Sequence, residues 1–138
     1  MCIRDSTWSD GRAVVATGSP FDPVVVGGTS RTISQANNVY IFPGVGLAAI
    51  AGRLKSIPDE AFIVAATTLA ALTAQSAPAG GPLYPPLADL RSISRSIAIA
   101  VIEAGAAAGW ASAADGARAA DLVDGAMWSP NYRAYVPA

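Results

Sequence analysis

Few side chains in this sequence could carry out a reaction unaided. The 138 residues contain no His and a single Cys, Cys2. That removes the Ser-His-Asp arrangement, every His-ligated metal site, any intrachain disulfide and any Cys-based metal site. One Lys is present and no acidic cluster. What remains is a chemistry of neutral hydrogen-bond donors. Asn37 and Asn38 stand side by side at the start of an apolar segment that reads as a helix. A side-chain amide donates to a carboxylate without bringing a titrating charge, and the free N–H groups and dipole of a helix start favour an anion there too. The structural alternative is that the two amides only cap the helix. Gly18 and Ser19 end a short apolar run. In an open α/β sheet that position is the carboxyl edge, where ligands collect. Either the backbone approaches a ligand there or the pair makes a turn before Pro20.

Three other patterns invite a functional reading and do not sustain it. Residues 44–49, GVGLAA, satisfy G-x-G-x-x-A. The fingerprint must follow a strand and open a helix; here Phe42-Pro43 precedes it, so close helix packing through small residues is the better account. Asp59 and Glu60 are adjacent, and neighbours on a helix do not face each other. They suit a helix N-terminus rather than a metal. Arg91 and Arg95 lie four apart on one face, read mainly as a solvated face, with an anion or subunit contact as the alternative. Trp128, Tyr132 and Tyr135 form an aromatic tail that docks on the domain or on a neighbouring subunit.

The elements that must hold these residues are legible in outline. Residues 13–18 read as a strand buried on both faces, as in a parallel sheet. Residues 24–26 and 31–33 flank Gly27-Gly28-Thr29-Ser30 as a small hairpin. Residues 39–54 read as a helix. Ser56 is the candidate cap of the next, which starts with Pro58, Asp59 and Glu60 and runs to about Gln75. After a Pro/Gly loop, residues 87–109 repeat Leu90, Ile93, Ile97 and Val101 at helical spacing. Residues 112–128 read as a last helix with Ser112 as its cap. A lone parallel-type strand needs neighbours on its edges. The chain is therefore expected to be a C-terminal fragment of a larger α/β protein: one sheet strand and a small hairpin, followed by mostly α-helices. Residues 1–6 show no helical period and read as a non-native leader before 7–138.

Composition narrows the partners. Nine Lys+Arg against ten Asp+Glu leave a net charge of −1, which argues against nucleic acid. Hydrophobic residues at 52% with only 14% charged exclude an ordinary disordered chain. The uncharged stretch 61–77 is 17 residues long and contains Thr67, Thr68, Thr73, Gln75 and Ser76. A bilayer span needs about 20 strongly apolar residues, so no membrane segment is expected and these helices read as buried in a large protein.

In order along the chain, ATGSPF at 16–21, NNVYIFPG at 37–44, IPDE at 57–60 and LYPPL at 83–87 resemble the malic enzymes. The Trp128, Tyr132 and Tyr135 tail fits as well. The match holds from about Thr7 onward and is most similar to the bacterial NAD-type branch. It implies the C-terminal part of a Rossmann-like NAD(P)-binding domain. It also implies a parent enzyme that oxidises and decarboxylates malate to pyruvate with NAD (or NADP) and Mg2+ or Mn2+. Such a parent is expected to be a cytoplasmic homo-oligomer. The family's catalytic Tyr and Lys, its metal carboxylates and its Gly-rich nucleotide turn match nothing here, so no catalytic or metal residue is assigned and the isolated chain is expected to be inactive. The resemblance makes Asn37 a malate contact and places Asn38 near the nicotinamide ribose or the substrate, as a cofactor contact; for Gly18 and Ser19 the strand-edge position gives close backbone approach to the cofactor as the functional reading. Ser34-Gln35-Ala36 departs from the family's Gly-rich version, and Ala36 is expected to alter the local backbone. Two other readings stay open: a malolactic enzyme fragment, which also uses NAD and Mn2+, and a non-enzymatic helical interaction module.

Overall fold

The structure is a computed structural model that describes residues 2–76, 81–112 and 118–131. Residues 77–80, residues 113–117 and the tail with Tyr132 and Tyr135 lie outside the described residues. The first element is a helix, α1 (Cys2–Trp8), in a segment where no period is legible. Seven residues are too few to display one; the Arg4 guanidinium lies 5.0 Å from the centre of the Trp8 ring, one turn away.

Four short strands follow. β1 (Ala16–Thr17) pairs in parallel with β4 (Ser34–Gln35), Ala16 opposite Ser34 and Thr17 opposite Gln35. β2 (Val24–Val26) and β3 (Thr29–Arg31) form an antiparallel hairpin between them. The expected strand over 13–18 is thus only two residues long and half-buried, and its neighbour comes from the same chain. Ser34-Gln35 carries no apolar run, so nothing in the sequence marks that partner. The hairpin is tighter than expected. Gly27 and Gly28 have φ of +57° and +79°, so they alone make the turn and Thr29 and Ser30 join the second strand.

The helical half is built on α4 (Leu90–Ala108). It packs against α2 (Phe42–Ala51), α3 (Asp59–Ser76) and α5 (Ala119–Ala126). Ile93, Ile97 and Val101 are buried as their spacing requires, and Ile97, Val101, Ile102 and Val123 are the largest fully buried side chains. The expected helix over 39–54 is divided into a 3-10 turn (Asn38–Tyr40) and α2. Pro43 has no N–H to donate and fits only the first turn of α2. α3 starts at Asp59, with the Pro58 carbonyl accepting from the Ala61 N–H at 3.0 Å. The cap position of α3 is therefore Pro58, two residues beyond Ser56, while Asp59 and Glu60 sit in its first turn. Ser112 is not the cap of α5: its N–H donates to the Gly52 and Arg53 carbonyls, and α5 begins at Ala119 with Arg118 at its cap position.

Arg95 is not simply solvated. Its Nε and Nη2 donate to the two carboxylate oxygens of Asp124 at 2.6 and 2.7 Å, clipping α5 to α4. This pairing holds the Asp124 carboxyl below its usual range. Arg91 Nη2 donates to the Trp128 carbonyl at 2.8 Å, although the Trp128 side chain itself is 75% exposed. Among the described residues no helix is long and apolar enough to cross a membrane.

Gly44 and Gly46, the two glycines of the G-x-G pattern, face opposite environments. A Cβ on Gly44 would lie 2.7 Å from Ile97 Cγ2 and 3.1 Å from the Ser94 carbonyl oxygen, whereas one on Gly46 would meet nothing within 4 Å. Their alanine variants should therefore shift stability in opposite directions. Gly44→Ala forces α2 off α4 and should destabilise by about 1–3 kcal/mol. Gly46→Ala should stabilise by up to about 1 kcal/mol through helix propensity. Denaturant unfolding of both variants checks the signs; two shifts of the same sign would contradict the packing.

Candidate active site wall

Because β1 and β4 run in parallel, the segments that leave them emerge at one carboxyl edge. The Thr17 carbonyl accepts from the Ala36 N–H at 2.8 Å, closing the ladder just before the two segments separate. Gly18-Ser19 leaves from one strand and Asn37-Asn38 from the other. Ala36, the departure from the family pattern, continues the ladder in place. It is absent from the positive-φ residues, so its backbone conformation is one that Ala adopts without strain.

Asn37 is extended, with φ −133° and ψ 144°, and its Oδ1 accepts from the Val39 N–H at 3.0 Å. The capping alternative is thus realised for Asn37, on a 3-10 turn rather than an α-helix. It does not exhaust the amide. With Oδ1 turned inward to the backbone, Nδ2 is the end left to donate. The side chain of Asn38 has no hydrogen-bond partner among the described residues, and both residues are exposed. They stand on the rim of a crevice of about 580 Å3, whose apolar wall includes Phe42, Ala66, Leu69 and Tyr84.

Gly18 and Ser19 share the sheet edge but do not line that crevice. The Gly18 carbonyl accepts from Gln35 Nε2 at 3.3 Å, and the Ser19 carbonyl from Thr17 Oγ1 at 2.8 Å. A separate hollow of about 250 Å3 lies between residues 13–15, β3 and Gly81-Pro82, and holds none of the candidate residues.

What fixes the Asn pair in place is not legible in the sequence. The 83–85 segment straps across it. Leu83 N–H donates to Ser34 Oγ at 2.7 Å, three residues before Asn37. Tyr40 Oη, three residues after Asn37, donates to the Pro85 carbonyl. The Tyr40 and Tyr84 rings stack with centroids 5.3 Å apart. Ser34 is 5% and Tyr40 2% exposed. Burial, then the nearby Asp89 and Tyr84, raises the Tyr40 pKa above its ordinary 10.0, so the hydroxyl stays a donor across neutral pH. Both motifs, NNVYIFPG and LYPPL, stand out along the chain, but nothing in the chain says that they touch.

This arrangement can bind and orient an anion through neutral amides. It offers no acid–base pair, and among the described residues no group of three or more His, Cys, Asp or Glu could hold a metal ion. Comparison with known proteins gives the rest. Residues 4–106 match the family described as malic enzyme, NAD binding domain. The NAD-dependent malic enzyme of Pseudomonas aeruginosa is 41% identical over 128 residues, 93% of this chain and 23% of that protein. That of Psychromonas ingrahamii is 43% identical over 131 residues, 94% of this chain and 23% of its own length. The Vibrio campbellii enzyme is 41% identical over 128 residues, 93% of this chain and 23% of its own length. This chain thus spans about a quarter of the length of the curated relatives it matches. From its motifs, its paired parallel strands with a helical half and these relatives, the chain belongs to the malic enzyme family, in the NAD-binding domain.

Proposed function

We propose that this chain forms one wall of the malate pocket in an enzyme that converts (S)-malate and NAD+ to pyruvate, CO2 and NADH. The observation that carries the proposal is Asn37 on the crevice with its Oδ1 taken by the Val39 N–H, which leaves Nδ2 to donate, beside an Asn38 side chain with no hydrogen-bond partner among the described residues. Malate is a dianion. Nδ2 of Asn37 donates to one of its carboxylates and, being neutral, does so without shifting with pH. Asn38 is the candidate contact to the cofactor, with the Gly18 and Ser19 backbone at the adjoining edge.

The described residues do not fit a divalent metal, since no sufficient ligand cluster exists among them, and no step is assigned to one here. A cofactor fits only partly. Residues 44–49 cannot cradle its phosphates, because they lie inside α2 with Gly44 against Ile97. Contact through Asn38 and the sheet edge matches the exposed donors. When bound, NAD accepts the hydride from C2 of malate. The part played by this wall is to hold the substrate carboxylate still while that transfer occurs. The parent is proposed to be a cytoplasmic homo-oligomer.

Two outcomes are expected. The purified 138-residue chain should form no NADH from malate and NAD+ with Mn2+ above a no-protein control; formation would refute the division of labour. In a full-length enzyme carrying this segment, Asn37→Ala should lower kcat/KM for malate about 10- to 100-fold, the worth of a hydrogen bond to a charged group. Asn37→Asp separates the two roles of the side chain. Asp caps as well as Asn, so thermal stability should hold, while the negative charge facing a dianion should cost more activity than Ala does. Equal kinetics for wild type and Asn37→Asp would remove the assignment. Pyruvate rather than lactate as the product distinguishes malic from malolactic chemistry.

A further inference from the structure

We infer that Ser34 and Tyr40 are positioning residues for malate, acting through the 83–85 strap to hold the Asn37-Asn38 turn. The inference rests on the malate-pocket reading above and adds the residues that set the orientation of its amides.

The geometry is symmetric about the pair. Ser34 is the last buried residue before it and Tyr40 the first after it. Each is tied to the same short segment by a side-chain-to-backbone hydrogen bond, at Leu83 and at Pro85. Between those anchors the turn is held mainly by itself. The Tyr40 N–H donates to the Asn37 carbonyl at 3.2 Å and the Ile41 N–H to the Asn38 carbonyl at 3.0 Å. A 3-10 turn of three residues is weak alone. The strap converts it into a fixed platform, since shifting the turn would break one anchor or unstack Tyr40 from Tyr84. The strap also forms part of the crevice, through Leu83 and Tyr84. Any slackening there moves the donor and the wall together. An amide displaced by a fraction of an ångström loses hydrogen-bond alignment to a carboxylate.

The test uses the full-length enzyme carrying this segment, with malate as the probe. Ser34→Ala and Tyr40→Phe each delete one anchor and leave the Asn pair intact. Ile102→Val is the control for a general loss of stability, because Ile102 is fully buried and does not line the crevice. Both strap variants should raise KM for malate about five-fold or more, with a smaller change in kcat. Each strap variant also leaves a backbone group unpaired, so its thermal midpoint should fall at least as far as that of Ile102→Val, whose KM should stay at the wild-type value. Unchanged KM in both strap variants, alongside a weakened Asn37→Ala, would overturn the positioning role and leave the malate pocket standing. A KM rise in Ile102→Val matching that of the strap variants would overturn it too, as stability alone would then explain the effect. If Asn37→Ala is itself neutral, the malate reading falls and the strap's role falls with it.

Discussion

Two motifs separated by some forty residues meet at the buried hydroxyl of Tyr40. Its hydrogen bond to the Pro85 carbonyl lies where water cannot compete, so leaving either group unpaired would cost more than the bond gains. Pro85 is itself buried. Around this contact the sheet edge, the Asn turn and the entrance to α4 are held in one arrangement. The raised Tyr40 pKa has the same origin. A phenol whose folded pKa lies above its unfolded value binds its proton more tightly when folded. The stability it contributes is therefore complete below pH 10.0 and is lost as pH rises through the folded value.

Capping and ligand binding are commonly set against each other as explanations of a helix-start Asn. Here they are two ends of one amide. Oδ1 is committed to the Val39 N–H, and that commitment decides which atom faces the crevice. A Ser at this position would also cap, but would leave no NH2 beyond the cap. Asp would leave an oxygen of the wrong charge. Asn combines a cap with a neutral NH2 donor that reaches further from the backbone than a Ser or Thr hydroxyl, which suits the proposed pocket for a dianion.

Legibility in the sequence follows the physics of each element. α4 is readable because its buried residues recur at helical spacing along a single face. The Gly27-Gly28 turn is readable because glycine tolerates positive φ. By contrast, β4 has two polar residues and exists only through its partner, so no pattern announces it. Residue type alone suggests caps at Ser56 and Ser112, yet α3 begins after Pro58 and α5 only at Ala119. The Asn pair is visible along the chain, and its inward cap is one of the two readings the sequence allows. The strap is not visible, because residues 34, 40 and 83–85 become neighbours only after folding. Arg91 and Arg95 show the same limit: their partners, Trp128 and Asp124, lie 37 and 29 residues away.

The helices that are hardest to delimit are apolar on nearly every side. α2 exposes Phe42 and Ile50, at 58% and 77%, and α3 exposes Phe62 and Ile63, at 38% and 64%. Phe42 and Phe62 meet edge to face at 6.3 Å. When one face is not distinctly polar, periodicity cannot mark where a helix starts, and only proline or a cap does. That is the case at Pro43 and Pro58. The same composition explains the chemistry of the site. A wall with so few charges lowers the local dielectric around whatever anion it holds, which strengthens each neutral hydrogen bond made to it. In the proposed pocket the Asn37 amide on an apolar rim can then orient a carboxylate that it would hold only weakly in open water.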